Sequence, residues 1–234
     1  MTAIAIAKSE RPLPCWQPAT WKDYVAQRDD PSNDRLRLFF QQRSLLVLDM
    51  GWEGINHAAF CDLFTMLFAF WFSQHPGQSF SSLGRCLLEK PQQRAGAPDL
   101  VLYVGEDYPR WEAGEKRRID LNRWRVPDLI GEIADTTLAT DLDEKKQLYA
   151  ALGIPEYWVV DVRGERIFAF QLQANASYQQ CKDSCALAGL PIVLLEQTLA
   201  QMQTGTNGSA ALWFSRQIAE LALAADDSSA EANE

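Results

Sequence analysis

Residues 127–161 read PDLIGEIADTTLATDLDEKKQLYAALGIPEYWVVD. The apolar pair Leu129–Ile130, continued past Glu132 by Ile133–Ala134, predicts a buried strand with one carboxylate set in it. A polar loop, Asp135 to Thr140, follows. Asp141 then stands at the N-cap of a helix, with Glu144 three residues on in the capping-box position. That helix carries Lys145, Lys146 and Tyr149 and stops at Gly153, with Pro155 just beyond. Tyr157 to Asp161 predicts a second strand. Strand, helix, strand implies a parallel or mixed sheet with a crossover helix.

A carboxylate inside a buried strand is costly without a partner, so Glu132 needs a metal, a cation or a proton. Upstream, Pro98–Asp99 opens the apolar run LVLYV, which places a second carboxylate at a strand start. Asp128, in the second Pro-Asp pair, competes with it. Asp99 is preferred because a strand follows at once, and Asp128 is better placed to end the preceding loop. Two strand-borne carboxylates and a helix lysine are the parts of a divalent-metal phosphodiesterase site. Lys145 and Lys146 are helix-surface residues by default, and only one can face the sheet. Lys145 shares a face with both Asp141 and Tyr149 through four-residue spacings.

Together, Pro98–Asp99, Pro127–Thr137 and Asp141–Asp161 resemble the Uma-two family, restriction-endonuclease-like proteins of the PD-(D/E)XK nuclease superfamily. The resemblance spans roughly residues 40 to 200, and the ordered set of motifs is more specific than any one of them. It implies an α/β (α+β) fold with a restriction-endonuclease-like core, a mixed central sheet flanked by helices and an added antiparallel hairpin. It implies that Asp99, Glu132 and the Ile133 carbonyl bind Mg²⁺ or Mn²⁺, that Lys145 positions the attacking water, and that the substrate is nucleic acid, DNA in the first instance. The superfamily's lysine would fall two residues after Glu132, where this chain has Ala134, and Lys145 is the residue that matches it on the following helix.

The composition is globular: 47% of the 234 residues are hydrophobic and 23% charged. The net charge of −9 argues against a broad nonspecific DNA-binding surface, without excluding a local basic groove. Five cysteines without CxxC spacing, and only two histidines, argue against a zinc site and for reduced thiols in a cytoplasmic protein. Ala58 to Phe72 is apolar but short and contains Asp62, so no membrane span is expected.

Residues 1–40 read as an N-terminal arm, with a short helix over Trp21–Arg28 and strand or helix turn equally open for Arg35–Gln42. Residues 41–203 read as the nuclease-like domain, 204–225 as a C-terminal helix after a Gly/Ser/Thr/Asn linker, and 226–234 as a disordered acidic tail. Ser44–Met50 predicts a strand, and Gly54–Gln74 a long apolar helix. Glu53 and His57 sit at the start of that helix. His57 matches a position where the resembled family carries histidine, so the resemblance makes it a supporting site residue. A helix-start histidine with a hydrogen-bond partner is an equally good reading, and Glu53 there favours the helix dipole. Arg166–Gln173 predicts the return strand of a hairpin, with further strands at Tyr178–Lys182 and Cys185–Leu187.

Gly105 to Leu121 is dense in charge, and Arg110, Lys116, Arg117 and Arg118 with Trp111 and Trp124 form the chain's best basic-aromatic mix. They are candidate nucleic-acid contacts. The alternative is a solvated insertion whose acids and bases pair with one another. Two other functions stay open beside the metal-dependent endonuclease: a catalytically silent nuclease fold serving as a binding or regulatory module, and a structural homodimer joined through the Gly54–Gln74 helix or the C-terminal helix.

Overall fold

The computed structural model describes residues 15–33, 35–49, 54–116 and 118–231, with residues 224–231 as backbone. Among the described residues, twelve strands form two mixed sheets. The first sheet holds β1 (Gln17–Pro18), β2 (Leu36–Gln41), β3 (Ser44–Asp49), β5 (Leu88–Lys90), β6 (Arg94–Gly96) and β8 (Ile119–Asp120). The second holds β4 (Phe80–Ser82), β7 (Leu100–Val104), β9 (Leu129–Ala134), β10 (Glu156–Asp161), β11 (Arg166–Leu172) and β12 (Tyr178–Gln180). Six α-helices accompany them: α1 (Trp21–Arg28), α2 (Ile55–Ser73), α3 (Leu138–Leu142), α4 (Glu144–Ala151), α5 (Ile192–Gln201) and α6 (Asn207–Glu231).

The second sheet is the expected mixed core. β9 and β10 run parallel, joined by α3 and α4, while β7 and β11 flank them antiparallel. Its outer face is covered by α2, α5 and α6, where Phe60, Phe64, Phe68 and Trp158 pack with Leu195 and Phe214. This explains the extreme apolarity of α2. By length and composition α2 could cross a membrane. Here its Phe60, Leu63, Phe64, Leu67, Phe68, Trp71 and Phe72 are buried in the core.

The inner face meets the first sheet. Phe39, Leu46 and Leu48 of the first sheet pack there on Val101, Tyr103, Ile130, Tyr157 and Val159, with Leu148 and Tyr149 of α4. Strand alternation explains the sorting. Asp99, Val101 and Tyr103 look inward, and so do Ile130, Glu132 and Ala134, while Leu100, Leu102, Leu129 and Ile133 look outward. Gly131 sits opposite Leu100, and a Cβ there would lie 2.9 Å from the Leu100 side chain. The glycine lets β7 approach β9 closely enough to set Asp99 beside Glu132.

Several boundaries differ from the expectations. β1, α1 and β2, placed in the arm, are built onto the first sheet, because Tyr24, Leu38 and Phe40 bury each other on its far face. Asp141 is no helix cap. It lies inside α3, fully buried, where its carboxylate is taken by Thr137 and Lys145, and Asp143 stands between the two helices without a side-chain cap bond. Residues 185–187 form a turn, because Glu156 accepts the backbone N–H groups of Cys185 and Ala186. α6 runs past the expected end at 225 to Glu231, as the high helix propensity of the Leu221–Ala225 run allows.

Candidate active site

The inward face of β7 and β9 opens into a cleft of about 210 Å³ lined by Arg37, His57, Asp99, Glu132, Ile133, Thr137 and Lys145 among others. Two of its carboxylates and its lysine are almost entirely withdrawn from water, as is Asp141 behind them: Asp99 is 3% exposed, Glu132 1%, Lys145 1% and Asp141 0%. Such burial requires that every charge be matched.

Glu132 Oε1 accepts the Tyr149 hydroxyl at 2.6 Å. Its Oε2 accepts Lys145 Nζ and Arg37, each at 3.1 Å. Lys145 reaches Asp141 Oδ1 at 2.8 Å as well, so it bridges two carboxylates. Asp99 Oδ2 accepts the Ile133 backbone N–H at 2.9 Å, which fastens the side chain to β9. Its Oδ1 faces Arg37 Nη1 at 2.7 Å and His57 Nε2 at 3.2 Å. Arg37 also donates to the Ala97 carbonyl.

The protonation tendencies follow from these contacts. Burial alone would raise the Asp99 carboxyl, but Arg37, His57 and the Ile133 N–H outweigh it and hold it well below the usual carboxylate range. Burial pushes Glu132 up to about 7 against the pull of Lys145 and Arg37. The bond to Asp99, helped by Cys61, raises His57 to about 11. Burial keeps the Tyr149 phenol protonated as a donor.

Of the residues expected at the site, the fold thus brings together Asp99, Glu132, Ile133, Lys145, Asp141 and His57. Glu53 and Arg117 lie outside the described residues. Arg118 pairs with the buried Glu89 at 3.1 Å, while Arg110 stacks over the Tyr108 ring and Lys116 is exposed. Asp128 is a loop anchor that accepts from Val104 N and Arg125. Two site residues were missed in the sequence, Arg37 and the Glu132-binding role of Tyr149. Arg37 had a faint signal, a charge inside an LRLFFQ strand whose neighbours are apolar on both faces.

The two buried carboxylates, Asp99 and Glu132, offer the oxygen donors that suit a hard divalent cation. Asp99 Oδ1 and Glu132 Oε2 converge on one cationic group, the Arg37 guanidinium. The fold therefore builds a seat for positive charge between the two carboxylates. A second donor group is softer. Among the described residues, His57, Cys61 and Asp99 offer ligand atoms within 4.8 Å of one another, although the sequence spacing argued against a zinc site. The i,i+4 spacing on α2 puts His57 and Cys61 on one helix face.

The sequence model of the Uma2 family, described as "Putative restriction endonuclease", matches residues 21–211. The chain belongs to the Uma2 family. A solved structure titled as a putative nuclease belonging to DUF820, from Anabaena variabilis ATCC 29413, superposes with a TM-score of 0.54 at 16% identity. The match covers 78% of this chain and 99% of that one. At this identity the likeness speaks for the fold, which is the restriction-endonuclease-like fold expected from the motifs. No curated protein matches the chain. The family match begins at Trp21, so it takes in α1 and the strand that carries Arg37.

Proposed function

We propose that this Uma2 member is a metal-dependent nuclease that hydrolyses phosphodiester bonds of DNA, with Mg²⁺ or Mn²⁺ held by Asp99, Glu132 and the Ile133 carbonyl. The observation that carries the reading is the pairing of two buried carboxylates from neighbouring segments of the second sheet with one cationic group, the Arg37 guanidinium. A divalent ion bound there would acidify a water and offset charge on the phosphate. The chain's own residues supply the rest. Tyr149 holds Glu132 by Oε1 and leaves Oε2 toward the cleft. The Ile133 N–H fixes Asp99. Lys145, anchored by Asp141, keeps a positive charge at the cleft wall where a water or phosphate oxygen can be oriented. Arg37 adds a second cation for the phosphate.

Five free cysteines suit a reducing, cytoplasmic setting. Leu212 and Leu223, exposed on one side of α6, offer a surface for a homodimer. α2 is less suited to this, being covered by the core.

A second reading, a noncatalytic nuclease fold used for binding, draws on the same Arg37. Its guanidinium already neutralises both metal-site carboxylates. Cleavage of plasmid, single-stranded DNA and RNA with Mg²⁺ or Mn²⁺ separates the two. The nuclease reading expects product from the wild type and none from Asp99→Asn or Glu132→Gln. Equal cleavage by both variants contradicts the assigned site, and metal binding without any cleavage favours the second reading.

A further inference from the structure

A second cavity of about 420 Å³ lies under the charged segment that follows β7. Its walls include Trp111, Trp124, Arg110, Lys116 and Arg118. Its volume falls within the ordinary range for a small-ligand pocket. Trp111 is 65% exposed, yet its indole N–H is bonded to the Glu115 carbonyl at 3.1 Å, so a large aromatic surface is held in place facing water. Holding an indole against solvent forgoes burial, and ligand-binding surfaces accept that loss.

The charges of the cavity are unevenly matched. Glu115 is paired with Arg123, and Arg118 with Glu89. Among the described residues, neither Arg110 nor Lys116 has a carboxylate partner within ion-pair distance. Aromatic faces beside these two cations suit a planar base attached to a phosphate.

The cavity is also tied to the candidate active site. Leu83 and Cys86 form part of its wall. Between them, Gly84 rests on the Asp99 carbonyl so closely that a Cβ would come within 2.6 Å, and Arg85 N donates to the Pro98 carbonyl. Tyr103 and Asp99 point from the same face of β7, and Tyr103 belongs to the cluster against which Trp124, Leu83 and Cys86 pack.

We infer that this cavity is a nucleotide subsite. It takes one unpaired nucleotide of the nucleic-acid strand, with its base on the Trp111 and Trp124 faces and its phosphate on Lys116 and Arg110. This deepens the nuclease reading and rests on it. The preferred strand is single-stranded or locally opened, because a base held in a duplex stack cannot offer its face to an indole.

The test is fluorescence anisotropy of a labelled ten-nucleotide single-stranded DNA, in EDTA so that no cleavage occurs. It uses the full chain, Trp111→Ala and Arg110→Ala/Lys116→Ala, each checked by thermal melting. The subsite predicts that Trp111→Ala weakens binding about tenfold, the size of one lost base–aromatic stack. The double variant weakens it further and lowers the salt dependence. A duplex of the same sequence binds more weakly than the single strand. Wild-type affinity in both cavity variants overturns the subsite, as does absence of strand binding by the wild type. Metal-dependent cleavage is scored separately, so an active enzyme with unaltered cavity variants would sink the subsite and leave the nuclease reading standing.

Discussion

Glu132 is the residue on which most of the site's charge converges. Its two oxygens take three donors, Tyr149, Lys145 and Arg37. Removing Lys145 leaves Glu132 and Asp141 buried with a lost partner, so Lys145→Met is expected to destabilise the fold by about 3–5 kcal/mol in urea unfolding. Arg37 predicts a change of the opposite kind for metal. While it spans Asp99 and Glu132, an incoming divalent ion must compete with a fixed guanidinium. Arg37→Met removes the competitor and leaves two carboxylates facing each other without it. Calorimetric titration should show tighter Mn²⁺ binding by this variant than by the wild type, even if stability falls. Weaker binding would mean that Arg37 organises the carboxylates and does not compete for their seat.

At the scale of elements, the crossover unit β9–α3–α4–β10 was legible, because the apolar runs, Gly153 and Pro155 are local signals. Gly153 sits at φ +79° just past Leu152, the C-cap of α4, in a backbone region that glycine enters without strain. Glu132 was legible because a carboxylate stood inside an apolar strand, Asp99 because an apolar strand followed it at once, and Lys145 through the family resemblance and its four-residue spacings to Asp141 and Tyr149. Arg37 was not, since β2 joins the first sheet and reaches Asp99 from 62 residues away. No periodicity within LRLFFQ says which distant carboxylate will meet it. The cap assigned to Asp141 failed because its carboxylate is taken by side chains four residues before and after it, Thr137 and Lys145, and not by backbone N–H groups. The turn at 184–187 was hidden in the same way. It is held by Glu156, whose carboxylate accepts Ser184 Oγ and the N–H groups of Cys185 and Ala186, while Trp158 Nε1 donates to its other oxygen.

Burial raises the Glu156 carboxyl above its ordinary value despite those donors. The sign follows from linkage: the folded chain holds the proton to higher pH than the unfolded chain, so this group's contribution is present at acid pH and fades as pH rises through the folded pKa. The stability of Glu156→Gln relative to the wild type should therefore improve from pH 5 to pH 8 in urea titrations. A gap that narrows in the opposite direction would refute the assignment.

The whole molecule is a stack: α2, α5 and α6, then the second sheet, the interior with α4, the first sheet, and α1 outermost. The active-site candidate lies in the interior where both sheets contribute, Arg37 from one and Asp99 and Glu132 from the other. The far side is clamped by Glu89, which is 1% exposed and receives Tyr24 at 2.8 Å, Arg28 at 2.5 Å and Arg118 at 3.1 Å. That cluster ties α1 and the charged segment after β7 to β5. Glu89→Ala should cost about 3–5 kcal/mol and expose both segments to early proteolysis, whereas cleavage confined to the termini would show that the clamp is dispensable.

The central claim is that Asp99 and Glu132 form a cation site, and Mn²⁺ titration calorimetry at pH 8 on the wild type beside Glu132→Gln reads it directly. The account predicts a single saturable event in the wild type, lost in the variant while its circular dichroism stays folded. Equal binding by both proteins, or binding that instead disappears only with His57→Ala and Cys61→Ala, would contradict it.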